Sequence, residues 1–213
     1  MAKRSLAPRQ ARSRESERRL LDAAMQVLAE HGLDGTTIPR IAAQAGLTPG
    51  AIYRRFPDKN ALLETVVLSI LEKQVARLRA LSPTLTREKT LPELVEKIIK
   101  SALANHRADA ALLRGLRQFA ESSDHRAFRN KAIKLEKRAF QYLVELLLTY
   151  RKDIRHPDPP VALAFALVTL HSTLTELIVT DDHLSNWRTF IPEDDTTLIR
   201  ELVRTFLRYL GCD

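Results

Sequence analysis

The chain is poor in cysteine, glycine and aromatic side chains. Of its 213 residues, one is cysteine, six are glycine and 6% are aromatic. The single cysteine, Cys212, cannot form an internal disulfide, and no cluster of cysteines and histidines has metal-ligand spacing. The sequence therefore predicts neither redox chemistry nor a metal site, and it suggests no cofactor.

Sequence signals for a membrane protein or an enzyme are also missing. No apolar run is expected to reach the roughly 18 residues that cross a bilayer. The basic N-terminus is not followed by the apolar segment of a secretory signal, so a cytoplasmic protein without a membrane partner is expected. A Gly-x-Ser-x-Gly elbow, a phosphate-binding loop and a His-Glu-x-x-His motif are absent, which makes a helical enzyme the less favoured alternative.

What remains is a composition typical of helices. Apolar residues make up 45% of the chain, and the recurring Leu, Ala, Arg and Glu favour helices, whereas period-two alternation is missing. An all-α protein is predicted. The formal net charge is +8, and residues 1–60 hold 11 Lys/Arg against 6 Asp/Glu. Such a concentrated basic excess suits a polyanionic partner, although ordinary solubility charge is the alternative.

Two N-terminal segments and several later helices follow from local signals. Residues 1–12 are basic and are predicted to be a disordered arm, which either contacts DNA or only aids solubility. A helix is predicted from Ser13 to His31, with Gly32 as its left-handed cap. Beyond residue 60, helices are predicted at about 91–106, 108–122, 124–151, 160–179 and 195–210, with a linker at 82–86.

Residues 36–59 carry the pattern of a helix-turn-helix. Thr36 or Thr37 can cap its first helix, and Gly46 supplies the turn. Thr48 caps the second helix and Pro49 starts it, in the first turn where proline costs little. Because Ile52 and Phe56 point inward four residues apart, the remaining side chains of this helix are left to face outward.

Those outward residues have the chemistry that reading DNA requires. Gly50 and Ala51 are small enough to bring the backbone close to the bases, and Arg54 or Arg55 could form a bidentate contact with guanine. Phosphate contacts are predicted from the remaining candidates, because a hydroxyl or amino group near a helix end suits an anion: Thr36, Thr37, Tyr53 and Lys59.

The stretch GTTIPRIAAQAGLTPGAIYRRFPDKNALL resembles the DNA-binding signature of the TetR family of bacterial transcription regulators. The matched positions are Thr36-Thr37, Ile41-Ala42, Ala45-Gly46, Thr48, Ile52-Tyr53, Phe56 and Lys59. The resemblance implies groove positions at Pro49, Gly50, Ala51, Arg54 and Arg55. It departs at Pro39, where relatives often carry a polar residue that reaches DNA, which leaves Arg40 as the candidate from that helix.

The resemblance also implies what the rest of the chain does. It predicts a DNA-binding domain at 13–58 and a helical effector-binding and dimerisation domain at 59–213. Family members are usually homodimers joined through their last two helices, and most are repressors that a small molecule releases from a palindromic operator. A DNA-binding architectural or cell-division factor without an effector is the alternative.

The resemblance guides the interpretation of two features in the C-terminal part. An apolar stripe on the last helix (Ile199, Leu202, Val203, Phe206 and Leu210) and the apolar helix before it predict a dimer interface, unless both are buried within one subunit. Polar groups on otherwise apolar helices could line a pocket for a lipophilic effector, or could be satisfied core residues. The candidates are Arg117, Gln118, Phe119, Tyr142, His171 and Thr175.

Overall fold

The computed structural model describes residues 7–85, 90–180, 187–192 and 194–212. Within these ranges the protein is all-α, as predicted, and no strand occurs. The α-helices are α1 (Ala7–Gly35), α2 (Ile38–Ala45), α3 (Pro49–Tyr53), α4 (Lys59–Leu85), α5 (Leu91–Ala108), α6 (Ala110–Ser122), α7 (Arg126–Leu148), α8 (Pro159–Leu174) and α9 (Asp195–Tyr209). The described secondary structure also includes short 3-10 turns at Arg151–Asp153 and Trp187–Phe190 and a π turn at Thr175–Val179.

The helix starts follow the predicted caps, whereas the predicted cap of α1 differs. Gly32 interrupts the helical run of α1 with φ 65° and ψ −177°. The positive φ is one that glycine adopts readily, but this ψ lies outside the left-handed helical region of the predicted cap. The Asp58 carboxylate accepts the Ala61 N–H at 2.8 Å and so caps α4. The five predicted helices after residue 90 all occur, and their bounds lie within three residues of those expected, except that α8 ends at Leu174 and a π turn covers the remainder to Val179.

Two predicted boundaries differ from the structure. Helix α1 begins at Ala7, six residues before the predicted start, so residues 7–12 are helical rather than disordered; the rest of the predicted arm lies outside the described residues. Helix α4 continues to Leu85, through most of the linker predicted around Pro83. A proline disfavours helix without forbidding it, because its effects are local and other contacts can offset them.

The chain divides into two compact units. The first contains residues up to Ile70 together with Ala111–Arg129. Its core holds α1, α2, α3 and the start of α4 together, through side chains that are less than 5% exposed. They include Leu20, Ala24, Leu28, Ile41, Ala42, Ile52, Leu62, Leu63 and Val66.

Helix α6 packs closely on α1 within this first unit. Gly115 on α6 is buried, and an ideal Cβ placed there would lie 2.8 Å from both Cγ and Cδ1 of Leu28. Real side chains essentially never approach so closely, so glycine is what lets α6 reach this position. Phe119, one turn further on, packs against Phe128 with ring centroids 5.9 Å apart.

The second unit comprises Leu71–Ala110 and Asn130–Asp213. Its core is built mainly by α5, α7, α8 and α9, and α5 packs along α9. Phe206 and Leu210, which were predicted to lie on a dimer-forming stripe of α9, are 6% and 0% exposed. Ile199, Leu202 and Val203 pack partly buried against the same core. Most of that stripe is therefore covered within the subunit.

Helix α8 instead carries the exposed apolar face of this unit. Val161, Phe165 and Val168 are each more than half exposed, and their i, i+4, i+7 spacing places them on one side of the helix. The Phe165 ring lies 5.5 Å from that of Tyr209 on α9, which extends the same surface. The opposite side of α8 is buried in the core through Ala162, Leu163, Ala166 and others.

The segment Pro159–Val179 also has the length and composition of a membrane-spanning helix. Its mean hydropathy is 1.7 and 39% of its most apolar stretch is buried inside the protein. The expectation that no segment is long and apolar enough is therefore wrong for this one. Its apolar character has another explanation here, because one side fills the core and the other forms the α8 face.

Candidate nucleic-acid interface

Side-chain caps and a glycine turn fix the geometry of the helix-turn-helix. The Thr37 hydroxyl accepts the Arg40 N–H at the start of α2, at 3.4 Å. Gly46 has φ 65° and its N–H and that of Leu47 return to carbonyls of α2 at 3.2 and 2.9 Å. The Thr48 hydroxyl then accepts the Ala51 N–H at 3.3 Å and so caps α3. All three elements were predicted, and each satisfies backbone groups that a helix end leaves unpaired.

Helix α3 and the turn that follows it present a cationic outer surface. Ile52 is fully buried and anchors the helix, whereas Tyr53 is 55% exposed and Arg54 and Arg55 are exposed. Neither arginine forms an ion pair with any residue that the structure describes. The regular helix ends at Tyr53, whereas the sequence pattern extended it to Phe56. A turn follows, in which the Arg55 N–H donates to the Ile52 carbonyl at 2.8 Å.

The small residues at the start of α3 leave its backbone accessible. Thr48, Pro49 and Gly50 are exposed, and Ala51 is half-buried. A Cβ built on Gly50 would meet no atom within 4 Å, and its φ is not positive. Neither packing within the protein nor the backbone conformation therefore requires glycine at this position. The missing side chain is compatible with close approach of a binding partner to the backbone.

Thr36 does not lie where a phosphate contact needs it. It is fully buried, and its hydroxyl donates to the Gly32 carbonyl at 2.6 Å. Its predicted role at DNA is therefore replaced by a structural one, since it satisfies a carbonyl at the end of α1. Thr37 is the exposed member of the pair and the actual helix cap.

Two cationic side chains that were predicted to contact DNA form hydrogen bonds to carbonyls near the end of α1. The Arg40 guanidinium donates to the Gly35 carbonyl at 2.7 Å, and the Lys59 amino group donates to the Leu33 carbonyl at 3.3 Å. Both bonds satisfy carbonyls around the turn that follows α1. Arg40 remains exposed and Lys59 is half-buried, so each keeps further donors available near this surface.

The six predicted effector residues are divided between the two compact units. Arg117, Gln118 and Phe119 belong to the first unit, where Phe119 is buried and Arg117 pairs with Glu121 at 2.9 Å. His171 and Thr175 belong to the second unit. The His171 ring lies 5.9 Å from those of His106 and Phe140, and Thr175 forms the end of α8.

Tyr142 is the one candidate that lines a groove. The groove runs between α4 and α7 of the second unit, and its other polar residues include Arg79 and Arg138. Sequence reasoning missed both arginines, because neither interrupts an apolar run. Their spacing was the available signal: on each helix the groove residues recur every three or four positions.

Comparison with known proteins agrees with this geometry. A family model described as bacterial regulatory proteins of the tetR family matches residues 20–66. A second, described as the C-terminal domain of tetracyclin-repressor-like proteins, matches residues 90–210, more than half of the chain. Both the DNA-facing helices and most of the remaining described helices therefore fall inside family matches.

Curated relatives match mainly the N-terminal part. The uncharacterized HTH-type transcriptional regulator TtgW of Pseudomonas putida is 37% identical over 59 residues, covering 28% of this chain and 44% of TtgW. The HTH-type transcriptional repressor KstR2 of Rhodococcus jostii is 32% identical over 92 residues, covering 43% of this chain and 45% of KstR2. The chain thus spans less than half the length of these two curated relatives.

Solved structures share the fold along nearly the whole chain. A TetR-family transcriptional regulator from Mesorhizobium loti matches with a TM-score of 0.70 and 22% identity, covering 92% of this chain and 97% of that one. FadR from Bacillus subtilis, solved with stearoyl-CoA, matches with a TM-score of 0.63 and 19% identity, covering 88% and 96%. The chain therefore belongs to the tetR family of bacterial regulatory proteins.

Proposed function

We propose that the protein is a transcriptional repressor that binds a palindromic operator as a homodimer and is released by a small-molecule effector. The observation that carries this function is the exposed surface of α3 and the turn after it, where Tyr53 and two arginines that form no ion pair with a described residue follow a buried anchor, Ile52. Such a surface has the size and charge to enter the major groove. Residues 13–58 form the proposed DNA-binding domain.

Within the groove, the start of α3 lies nearest the bases. Gly50 and Ala51 allow the backbone close to the base edges, and Ala51 can touch a thymine methyl group. Arg54 or Arg55 reads guanine, while Tyr53, Thr37 and Lys59 hold phosphates on either side. Thr48 and Pro49 keep the helix N-terminus in place through the cap bond to the Ala51 N–H.

The homodimer forms through α8 and α9, chiefly through the exposed α8 face. Val161, Phe165 and Val168 would pack against the same residues of a second copy, with Tyr209 of α9 at the edge. A two-fold axis is the usual symmetry of such a self-complementary surface. It would place two α3 helices for half-sites about 34–36 Å apart, one turn of DNA.

Release follows from linkage between the two ligands. An effector that binds residues 59–213 better in a state with wrongly spaced α3 helices lowers operator affinity by the same free energy. FadR of Bacillus subtilis, which has this fold, was solved with stearoyl-CoA, and we infer a lipophilic effector here. The α4–α7 groove favours this function over an architectural factor without an effector. A repressor of this kind works in the cytoplasm.

The test removes the α3 contacts one at a time. Operator duplexes are selected from a random pool, and the affinities of Arg54→Ala and Tyr53→Phe are measured by fluorescence anisotropy. Loss of a bidentate guanine contact is worth about 1–3 kcal/mol, so Arg54→Ala should weaken binding roughly tenfold or more. Loss of the Tyr53 hydroxyl should weaken binding to all sequences alike, and the salt dependence should stay nearly unchanged because the hydroxyl carries no charge.

A matched control separates the α3 surface from general charge. Arg151, in the 3-10 turn after α7, is exposed and forms no ion pair with a described residue. The Arg151→Ala variant loses the same charge away from α3 and should bind the operator like the wild type. Unchanged affinity in both α3 variants, or an equal loss in the control, would remove α3 from the proposed mechanism.

A further inference from the structure

The groove between α4 and α7 has the size of a small-molecule site. Its volume is about 440 Å³, within the roughly 300–1,000 Å³ typical of such sites. The C-terminal half of α4 forms one wall and the middle of α7 the other, so both walls belong to the second compact unit. The groove opens toward solvent, which gives a ligand a direct route in.

The walls of the groove are largely apolar. Val75, Ala76 and Ala80 on α4 line one wall, and Leu135 on α7 lines the other. Ala76 and Ala80 lie one turn apart on α4, and their short side chains leave room for a ligand between the helices. These side chains would remove an alkyl chain from water, and each buried methylene group is worth about 0.8 kcal/mol.

The polar lining is cationic. Arg79 on α4 and Arg138 on α7 both line the groove, and neither forms an ion pair with any residue that the structure describes. Glu72 is the lining carboxylate, and its Oε1 is already paired with the Lys131 Nζ at 3.1 Å. The lining therefore carries a net charge of +1, with two guanidinium groups available to a carboxylate.

A second groove in the same unit lacks this property. It lies between α5 and α9 and is larger, at about 630 Å³. Lys100 is paired with Glu96 at 2.5 Å, and Arg200 donates to the Thr197 hydroxyl at 3.3 Å and lies 3.8 Å from Glu201. Most cationic groups of this second groove therefore already interact within the protein, so fewer of them are available to bind an anion.

We propose that the α4–α7 groove binds an amphipathic monocarboxylate, with its alkyl chain along Val75, Ala76 and Leu135 and its head group between Arg79 and Arg138. The net charge of +1 matches one carboxylate rather than a multiply charged phosphate head. Tyr142 supplies a hydroxyl donor on the α7 wall. The inference rests on the proposed function in one respect, namely that this ligand is the effector.

The position of the groove on α4 gives the ligand a route to the DNA-facing helices. Helix α4 is continuous from Lys59 to Leu85, and it begins six residues after α3 ends. Its first part contributes Leu62, Leu63 and Val66 to the core that holds α3. A ligand bound against Val75 and Arg79 therefore contacts the helix on which α3 is seated.

Calorimetry with sodium decanoate tests the site on the full-length protein. The probe should bind saturably to the wild type, and the double variant Arg79→Met/Arg138→Met should bind it at least tenfold more weakly. Arg77→Met/Lys137→Met is the matched control, because these exposed cations lie on the same two helices outside the groove. The control should bind decanoate within twofold of the wild type.

Two further probes test the charge argument. The neutral 1-decanol and the cationic decyltrimethylammonium have the same chain and should bind at least tenfold more weakly than decanoate. Equal binding of either probe, no saturable binding of decanoate, or equal losses in both double variants would overturn the site. Circular dichroism of each variant checks that it is folded.

Operator affinity, measured on the same proteins, separates this inference from the proposed function. In the absence of decanoate, both double variants should bind the operator like the wild type, and decanoate should weaken only the wild type and the control. Tight operator binding without decanoate binding would defeat the groove assignment alone. Failure to bind any selected operator would defeat the proposed repressor, whatever the calorimetry gives.

Discussion

At the scale of single residues, the neighbours Thr36 and Thr37 show where sequence reasoning reaches its limit. Both are good helix caps, so local chemistry could not choose between them. Burial decides: Thr36 is enclosed and donates to Gly32, while Thr37 is exposed and caps α2. The same difficulty applies to Arg40 and Lys59, whose charge is plain in the sequence but whose bonds to α1 carbonyls depend on the fold.

The two glycines of the helix-turn-helix should respond oppositely to alanine. Gly50 faces open space at an ordinary φ, so Gly50→Ala should raise the free energy of unfolding by up to about 0.5–1 kcal/mol. Its added methyl group should nevertheless weaken operator binding, because the backbone can no longer approach the bases as closely. Urea unfolding and anisotropy measure the two effects on one protein sample.

Gly46→Ala is the matched comparison. Gly46 also has open space around it, but its φ of 65° is strained for alanine, at a cost of about 1–2 kcal/mol. This variant should lose stability and should bind DNA less well only in proportion to unfolding. If Gly50→Ala bound operator as tightly as the wild type, the close approach of α3 to DNA would be wrong.

At the scale of helices, starts were easier to predict than ends. Thr48 caps the start of α3 as predicted, and Asp58 and Asp194 cap α4 and α9 in the same way, because a capping side chain acts within three residues of itself. The end of α4 was missed, since Pro83 was read from local preference alone. Local preference omits contacts with distant helices, such as the ion pair from Glu72 on α4 to Lys131 on α7.

The cap of α9 makes a pH-dependent contribution to stability. The Asp194 carboxylate accepts the Thr197 N–H at 2.7 Å. The pKa of Asp194 is lowered from its usual value of 3.8. The hydrogen bond from the Thr197 N–H is the largest cause, and a hydrogen bond from the Thr197 side chain is the second. Because the folded-state pKa is depressed, the stabilisation is present above the usual value and is lost as the pH falls through the folded-state pKa.

The Asp194→Asn variant isolates that charge, since asparagine can still cap the helix. Urea unfolding of both proteins from pH 6 to pH 3 should give a more stable wild type at pH 6. The difference should shrink steadily once the pH falls below the usual value of 3.8. A difference that stays constant across this range would mean that the carboxylate charge does not stabilise α9.

At the scale of the whole molecule, family and fold class followed from about thirty residues, whereas the sensing part did not. The helix-turn-helix could be predicted because its contacts are local and its spacing is fixed. Arg79 and Arg138 are 59 positions apart and line one groove only because α4 and α7 lie side by side. Nothing in either local sequence indicates the other, and so the effector candidates chosen by polarity alone fell in different units.

The proposed homodimer depends on the α8 face in a way that can be measured directly. Phe165→Asp places a charge in the centre of the proposed dimer interface, where it would be buried without a partner. Light scattering should show a monomer at concentrations where the wild type is a dimer. Operator affinity should fall at least tenfold, because each monomer grips only one half-site.

Ile133→Asp is the control for this change. Ile133 on α7 is 59% exposed, the same fraction as Phe165, but it lies outside the α8 face. The control should remain dimeric and bind the operator normally. A dimeric Phe165→Asp protein, or a monomeric control, would place the interface elsewhere.

The contact between Gly115 and Leu28 sets a practical rule for engineering this protein as a biosensor. Helix α6 carries exposed positions such as Arg117 and Gln118, which a directed-evolution library would naturally randomise. Codon 115 should stay fixed in such a library, because even one methyl group there would collide with Leu28. Clones that change it should lose roughly 1–3 kcal/mol of stability, which would be mistaken in a screen for an altered response.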